Sequence, residues 1–274
     1  MKILLEESGF CFGVKRAFLL AKKNFGQSFQ TLGPLIHNNE VLKEIEQNGG
    51  QICQKVSEVE NNKNLIIRAH GISQKKFLKL QKKTNLLQDA TCPFVIKLQN
   101  EARNFYKNNF FLIIVGQKNH PEIKAICEDC PKAKVIFSEK EAEEIPKQEK
   151  IALVAQTTER EEKFNSIAKI LKTKSKILKI SNTICLYVKK RQKAAQNLSL
   201  KVDLLLVIGG KKSSNTKKLF EIGKQNCLTF LIQNKTEIPW KIIKSIKPQK
   251  IGLCSGTSTH EKTIKSIKLA LENY

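Results

Sequence analysis

The stretch Gly9-Phe10-Cys11-Phe12-Gly13-Val14-Lys15-Arg16 returns twice in shortened form. Cys11-Phe-Gly-Val14-Lys-Arg16 is echoed by Cys92-Pro-Phe-Val95-Ile-Lys97 and by Cys185-Leu-Tyr-Val188-Lys-Lys190. The three copies of Cys-x-x-Val-x-(Lys/Arg) lie 81 and 93 residues apart. Each copy is followed by a glycine with a polar residue four positions later: Gly33 and His37, Gly116 and His120, Gly210 and Ser214. The apolar runs Phe111–Val115 and Leu204–Ile208 precede the last two glycines and read as buried strands. A third stop is an apolar run ending in small polar residues, at Leu65–Ser73, Ile151–Thr158 and Ile251–Ser258. This pattern predicts an α/β protein of three pseudo-repeated lobes, each about 80–90 residues, a period too long for a solenoid. Strands alternating with helices imply small, mainly parallel sheets with ligands at the strand C-terminal ends. The expected lobes are 11–92 with the strand region 1–10, then 93–184, then 185–274 with a closing helix.

Length and composition narrow the class. At 274 residues and 41% hydrophobic content the chain can bury a sizeable core, and no apolar run approaches the roughly 20 residues that span a bilayer. The first residues turn acidic at Glu6, too soon for a signal peptide. A cytoplasmic protein is expected, in which eight cysteines stay reduced and serve as metal ligands, catalytic groups or core. The net charge of +24 comes from 49 basic residues, of which only Arg16, Arg68, Arg103, Arg160 and Arg191 are arginine. Nucleic-acid readers favour arginine, and these lysines are spread over every helix-like segment, so nucleic acid is not an expected partner. Solvated faces, and attraction of an anionic substrate or an acidic protein, fit the charge better. Nothing requires more than a monomer.

Locally, Met1–Leu5 reads as a strand and Val14–Phe25 as a helix, so Cys11 sits where a strand hands over to a helix. The chain from Phe25 to Asn39 is read without a strand, and Ile123–Glu128 as a short helix. Three thiols from three equivalent corners suit either a zinc with one other ligand or a 4Fe-4S cluster with one open iron. Closed zinc sites usually draw on close Cys-x-x-Cys pairs, so the cluster fits better. His37, His70 and His120 sit at strand ends rather than on helix faces, as residues lining one pocket would. Ser213, Ser214, Asn215, Thr157 and Ser258 supply short donors beside glycine-containing turns, a good surround for phosphate oxygens. Glu122, two residues after His120, is a candidate proton donor. Cys127-Glu-Asp-Cys130 has no counterpart in the other copies and reads as structurally incidental, and Cys53, Cys227 and Cys254 as core or surface thiols.

Taken together, the motifs resemble a family, the 4-hydroxy-3-methylbut-2-enyl diphosphate reductases of the methylerythritol phosphate route to isoprenoids. They are Gly9-Phe-Cys11-Phe-Gly-Val14-Lys-Arg-Ala17, His37-Asn38, Ala69-His70-Gly71-Ile-Ser73, Asp89-Ala-Thr-Cys92-Pro93 and His120-Pro121-Glu122. Gln156-Thr157-Thr158, Ile184-Cys185, Arg191-Gln192, Ser213-Ser214-Asn215 and Ser255-Gly-Thr-Ser258 complete them, in family order along the whole chain. The resemblance implies three α/β lobes around a central 4Fe-4S cluster on Cys11, Cys92 and Cys185. It implies a fourth iron open to the substrate hydroxyl, which two electrons and two protons remove as water to give isopentenyl and dimethylallyl diphosphate. His37, His70, His120, Ser213, Ser214, Asn215 and Ser258 would contact the diphosphate, Glu122 would deliver the proton, and Thr157 would order the hydroxyl end. A ferredoxin or flavodoxin would be the transient electron donor. Three places depart from the family pattern. Tyr187-Val188 replaces Ala-Thr after Cys185, Lys124-Ala125 stands where a glycine is usual, and Cys254-Ser-Gly-Thr-Ser-Thr-His260 replaces Thr-Ala-Gly-Ala-Ser-Thr-Pro. His260 is expected as an exposed helix-start residue.

Overall fold

The computed structural model of the chain describes residues 1–274 apart from Glu7 and Asn85. Among the described residues, twelve strands form three four-stranded sheets in which every pairing is parallel. The first sheet runs, edge to edge, Gly50–Cys53, Phe29–Leu32, Asn64–Ile67, Leu87–Asp89. The second runs Lys134–Ile136, Phe111–Val115, Gln148–Ala155, Ser175–Ile180. The third runs Leu228–Ile232, Leu204–Ile208, Lys250–Ser255, Lys2–Leu5.

The three sheets share one topology, and it explains an unexpected placement. The strand ahead of Cys92 pairs with the strand just before it in sequence, and so does the strand ahead of Cys185. The strand ahead of Cys11 pairs differently. Lys2–Leu5, grouped with the first lobe on sequence, instead pairs with the last strand of the chain, from Lys2 against Lys250 to Leu5 against Leu253. It completes the sheet of the C-terminal strands.

Hydrogen bonds repeat with the topology. The N–H groups of Gly33, Gly116 and Gly209 donate to Cys53, Ile136 and Ile232, the last residues of the neighbouring strands, at 2.6, 2.9 and 2.9 Å. In the third copy the matching glycine is therefore Gly209, one residue before the Gly210 expected, and the polar residue four positions on is Ser213. The cysteine corners match as well. Cys11, Cys92 and Cys185 donate their N–H groups to the carbonyls of Thr257, Ala69 and Thr157 at 3.0, 3.0 and 2.8 Å.

Central strands are buried on both faces, which is why they read as unbroken apolar runs. Leu204, Leu206 and Ile208 pack in one cluster with Ile243, Ile264, Ile267 and Leu271. Leu205 and Val207 face the other way, against Ala195, Leu198 and Leu219. Phe111–Val115 divides likewise between two clusters. Each fully buried aliphatic side chain contributes about 1.5–3 kcal/mol of hydrophobic stabilisation.

The strand missed on sequence, Phe29–Leu32, is buried along its whole length despite Gln30 and Thr31 at its centre. Those polar groups have partners: Gln30 donates to Gln51 Oε1 and accepts from the Glu60 N–H, and Thr31 donates to the Gly33 carbonyl. Two helices also begin earlier than expected, at Phe12 and at Pro121, the latter running Pro121–Asp129. By internal packing the chain divides into two units. Residues 1–15, 37–43 and 186–274 form one, which holds the sheet of the chain ends, and residues 16–36 and 44–185 form the other, with the remaining two sheets. Among the described residues no helix is long and apolar enough to cross a membrane.

Candidate functional site

In the unit of the chain ends, the polar loops all follow strand C-termini. Cys11 is half-buried and immediately precedes the helix Phe12–Lys22. Its loop is held by Gly9, which has a positive φ of 89° and donates its N–H to Ser255 Oγ at 3.1 Å. The buried guanidinium of Arg191 ties the same loops together. It donates to the Gly9 carbonyl at 2.6 Å, to Ser255 at 3.1 Å and to Gly256 at 2.8 Å. His37 and Asn38 lie against the Ser258 turn: Asn38 Nδ2 donates to the Ser258 carbonyl at 2.7 Å, and Ser258 Oγ to the His37 carbonyl at 3.3 Å. Gly210 must lack a side chain, because a Cβ there would sit 2.8 Å from the His37 oxygen.

The helix Ser214–Lys224 starts beside this turn, since a Cβ on Gly256 would overlap Thr216 Oγ1 at 2.1 Å. Ser213 caps the helix by accepting the Thr216 N–H at 3.3 Å, which leaves its own O–H available to an anion. Asn215 is 2% exposed, and among the described residues neither its Oδ1 nor its Nδ2 has a hydrogen-bond partner. A buried amide left so costs about 1–3 kcal/mol, unless a ligand takes it up. A polar cavity of about 310 Å³ opens nearby between Asn38, Lys43, Gly210 and Asn234, yet Cys11 and Ser213–Asn215 do not line it.

In the other unit, the structure gathers Glu122, Thr157, His120, His70 and Cys185. Glu122 is 1% exposed, and its two carboxylate oxygens accept the N–H and the O–H of Thr157, both at 3.0 Å. The Thr157 carbonyl in turn accepts the Cys185 N–H. His120 caps the helix Pro121–Asp129, with proline at the first helical position. Its Nδ1 accepts the Glu122 N–H at 3.3 Å, so a neutral ring carries its proton on Nε2. The His70 ring meets the His120 ring edge-to-face, with centroids 5.5 Å apart. Cys92 immediately precedes Pro93–Lys107, again with proline first, and Cys185 precedes Leu186–Ser199.

The remaining cysteines sit in different surroundings. Burial raises the Cys254 thiol to about 12 and the Cys130 thiol to about 11. Burial also raises Cys53, Cys127 and Cys227. His260 starts the helix Glu261–Glu272 as expected, accepting the Lys262 N–H at 3.1 Å, but it is half-buried rather than exposed. Its ring packs edge-to-face on Phe10, next to Cys11. Val188, at the Tyr187-Val188 departure, is buried on its helix, and of the Lys124-Ala125 pair Ala125 is buried. Sequence reading missed the tie made by Arg191. Its signal was rarity, as one of five arginines among 49 basic residues.

Fold and site together define a parallel α/β protein that concentrates its polar side chains at strand C-terminal ends, the class that binds small ligands there. A family model described as LytB protein matches residues 3–272, and the chain belongs to that family. Among similar proteins, the 4-hydroxy-3-methylbut-2-enyl diphosphate reductase of Caldanaerobacter subterraneus subsp. tengcongensis is 42% identical over 97% of this chain and 95% of its own. The Campylobacter jejuni protein of the same name is 38% identical over 99% of this chain and 98% of its own. The solved Plasmodium falciparum E-1-hydroxy-2-methyl-but-2-enyl-4-diphosphate reductase superposes with a TM-score of 0.92 at 29% identity, covering 99% of this chain and 88% of that one. A solved (E)-4-hydroxy-3-methyl-but-2-enyl diphosphate reductase, the terminal enzyme of the non-mevalonate pathway, gives 0.71 at 32% identity with full coverage of both chains.

Proposed function

We propose that this protein is an oxidoreductase that converts 4-hydroxy-3-methylbut-2-enyl diphosphate to isopentenyl and dimethylallyl diphosphate. The C–O bond to the hydroxyl breaks, two electrons and two protons are taken up, and one water leaves for each product molecule. The observation that carries this reading is the threefold cysteine corner. Three thiols stand directly before helix starts, each with its N–H on the carbonyl of an equivalent strand-end residue. A thiolate donor set at three positive helix ends fits an anionic 4Fe-4S cluster with one iron free of protein ligand. Cys11, Cys92 and Cys185 would hold it, with the lobes at 11–92, 93–184 and 185–274 around it and Lys2–Leu5 joined to the third. When bound, the cluster supplies the electrons and a Lewis-acidic iron.

The chain's own groups do the rest. Glu122 carries the proton for the leaving hydroxyl, and Thr157 fixes the orientation of its carboxyl through two hydrogen bonds. His120 presents Nε2–H to the diphosphate, with His70 packed on its ring, and His37 would contribute alike. Ser213, Ser214, Asn215 and Ser258 complete the anion site with hydroxyls and an amide, donors fixed in place before the charge arrives. The protein works as a cytoplasmic monomer, and its net charge of +24 attracts an acidic ferredoxin or flavodoxin as electron donor. The test is anaerobic turnover of 4-hydroxy-3-methylbut-2-enyl diphosphate with a chemical reductant. Both five-carbon diphosphates are expected as products, and no turnover by iron-loaded protein would refute the reading.

A further inference from the structure

The Cys127-Glu-Asp-Cys130 stretch, incidental on sequence, has its use in the two acidic residues between the cysteines. Glu128 Oε2 accepts the Ser73 hydroxyl at 2.7 Å, and Oε1 accepts Lys76 Nζ at 2.5 Å. Asp129 accepts the Gln74 N–H on both oxygens at 3.0 Å, and also Arg103 at 3.0 Å. Ser73 and Gln74 are the cap and first residue of the helix Gln74–Gln81. Two carboxylates from the end of one helix thus hold the start of another: Asp129 takes the free N–H of Gln74, where negative charge is favoured, and Glu128 takes the side chains of the cap Ser73 and of Lys76. At the end of their own helix the same charges oppose its dipole, so their position there is explained by the contact rather than by helix stability.

Both ends of this arrangement reach the candidate site. The helix that ends in Glu128 and Asp129 begins at Pro121, next to its cap His120, and carries Glu122 in its first turn. Its nine residues make a rod of roughly 13 Å. The cap of the helix they grip, Ser73, follows His70 by three residues, across Gly71, whose positive φ of 69° and lack of Cβ let it pack on Thr91 and Gln99. Gln99 secures the same segment through the Ile72 carbonyl at 3.3 Å. Arg68, two residues before His70, lies close enough to Glu128 for their charges to interact.

We propose that Glu128 and Asp129 are positioning residues: by locking the Pro121–Asp129 helix onto the start of Gln74–Gln81 they hold His70 and His120 at their edge-to-face spacing. The proposal rests on the diphosphate reading of these histidines for its effect on binding, but the clamp itself is a matter of geometry. The test uses Glu128→Gln with Asp129→Asn in the anaerobically purified full chain, and Lys76→Glu with Glu128→Lys as a charge-reversed pair. Deuterium exchange of the amides 71–78, the histidine side-chain resonances and the affinity for inorganic pyrophosphate are read together.

The neutralised variant is expected to exchange faster at 71–78, to shift the His70 and His120 resonances but not that of His260, and to bind pyrophosphate about tenfold more weakly. The reversed pair should restore part of each effect, which separates loss of the clamp from general misfolding. Unchanged histidine resonances with faster exchange would overturn the proposal, as would full pyrophosphate affinity in a variant with shifted histidines. A wild-type chain that binds no pyrophosphate while the variant still shifts the two histidines would instead count against the functional reading and leave the clamp standing.

Discussion

Two helix starts, one in each unit, carry buried polar groups, and they are built on opposite plans. At Pro121–Asp129 the buried carboxylate of Glu122 receives two hydrogen bonds from Thr157, and His120 receives the Glu122 N–H. At Ser214–Lys224 the equally buried Asn215 amide has, among the described residues, no partner on either atom, and Thr216 Oγ1 beside it has none either. The first is complete without ligand, as the proposed proton donor would require. The second is left open, as a group whose partners arrive with the substrate can be. On the proposed function, order would be built into the acid, and hydrogen-bonding capacity kept in reserve for the anion.

The largest effect should come from the completed side. Glu122→Gln keeps an acceptor for Thr157 but removes the transferable proton, so kcat should fall about 10²–10⁴-fold with KM little changed, read by steady-state turnover. Next is the tie beside the open side. Arg191→Met leaves three buried carbonyls, of Gly9, Ser255 and Gly256, without their donor, and urea unfolding should show a loss of about 3 kcal/mol or more.

The direct contrast is smaller. Thr157→Val takes a donor from Glu122 and should cost about 1–2 kcal/mol in the ligand-free protein. Asn215→Ala removes the buried amide's cost and should hold or raise that stability, by up to about 1–3 kcal/mol, while weakening diphosphate binding about tenfold. Equal destabilisation by the two substitutions would erase the distinction between the helix starts.

The smallest effect concerns thiols outside both. Cys254 and Cys130 are raised to about 12 and about 11 by burial, so both stay protonated at pH 8 and should resist iodoacetamide in the folded chain. The sign of the pH effect follows. Stability from burying these thiols is full below the ordinary thiol value of 9.0. It falls as pH rises from there toward the folded values, because the unfolded chain releases the protons first.

Much of this was legible in the sequence, for physical reasons that can be named. The cysteine corners repeat because strand, turn and helix start are local events, and local residues specify them. Leu204–Ile208 was legible because a strand buried on both faces must be apolar throughout. Phe29–Leu32 was not, because Gln30 and Thr31 satisfy their polar groups through partners up to thirty residues away. The seat of Lys2–Leu5 beside Lys250–Ser255 was hidden for a related reason: pairing across the whole chain leaves no mark on either strand. The tie made by Arg191 and the grip of Glu128 and Asp129 are likewise tertiary. A Cys-x-x-Cys frame drew attention to the sulfurs when the acids between them make the contacts.

The central claim is that Cys11, Cys92 and Cys185 serve one iron–sulfur group. The most direct measurement is iron and acid-labile sulfide per chain in anaerobically purified protein, beside Cys11→Ser, Cys92→Ser, Cys185→Ser and the control Cys127→Ser. About four of each in the wild type and the control, lost in all three corner variants, is the predicted result. Zinc-loaded or metal-free wild type, or corner variants that keep the full complement, would contradict it.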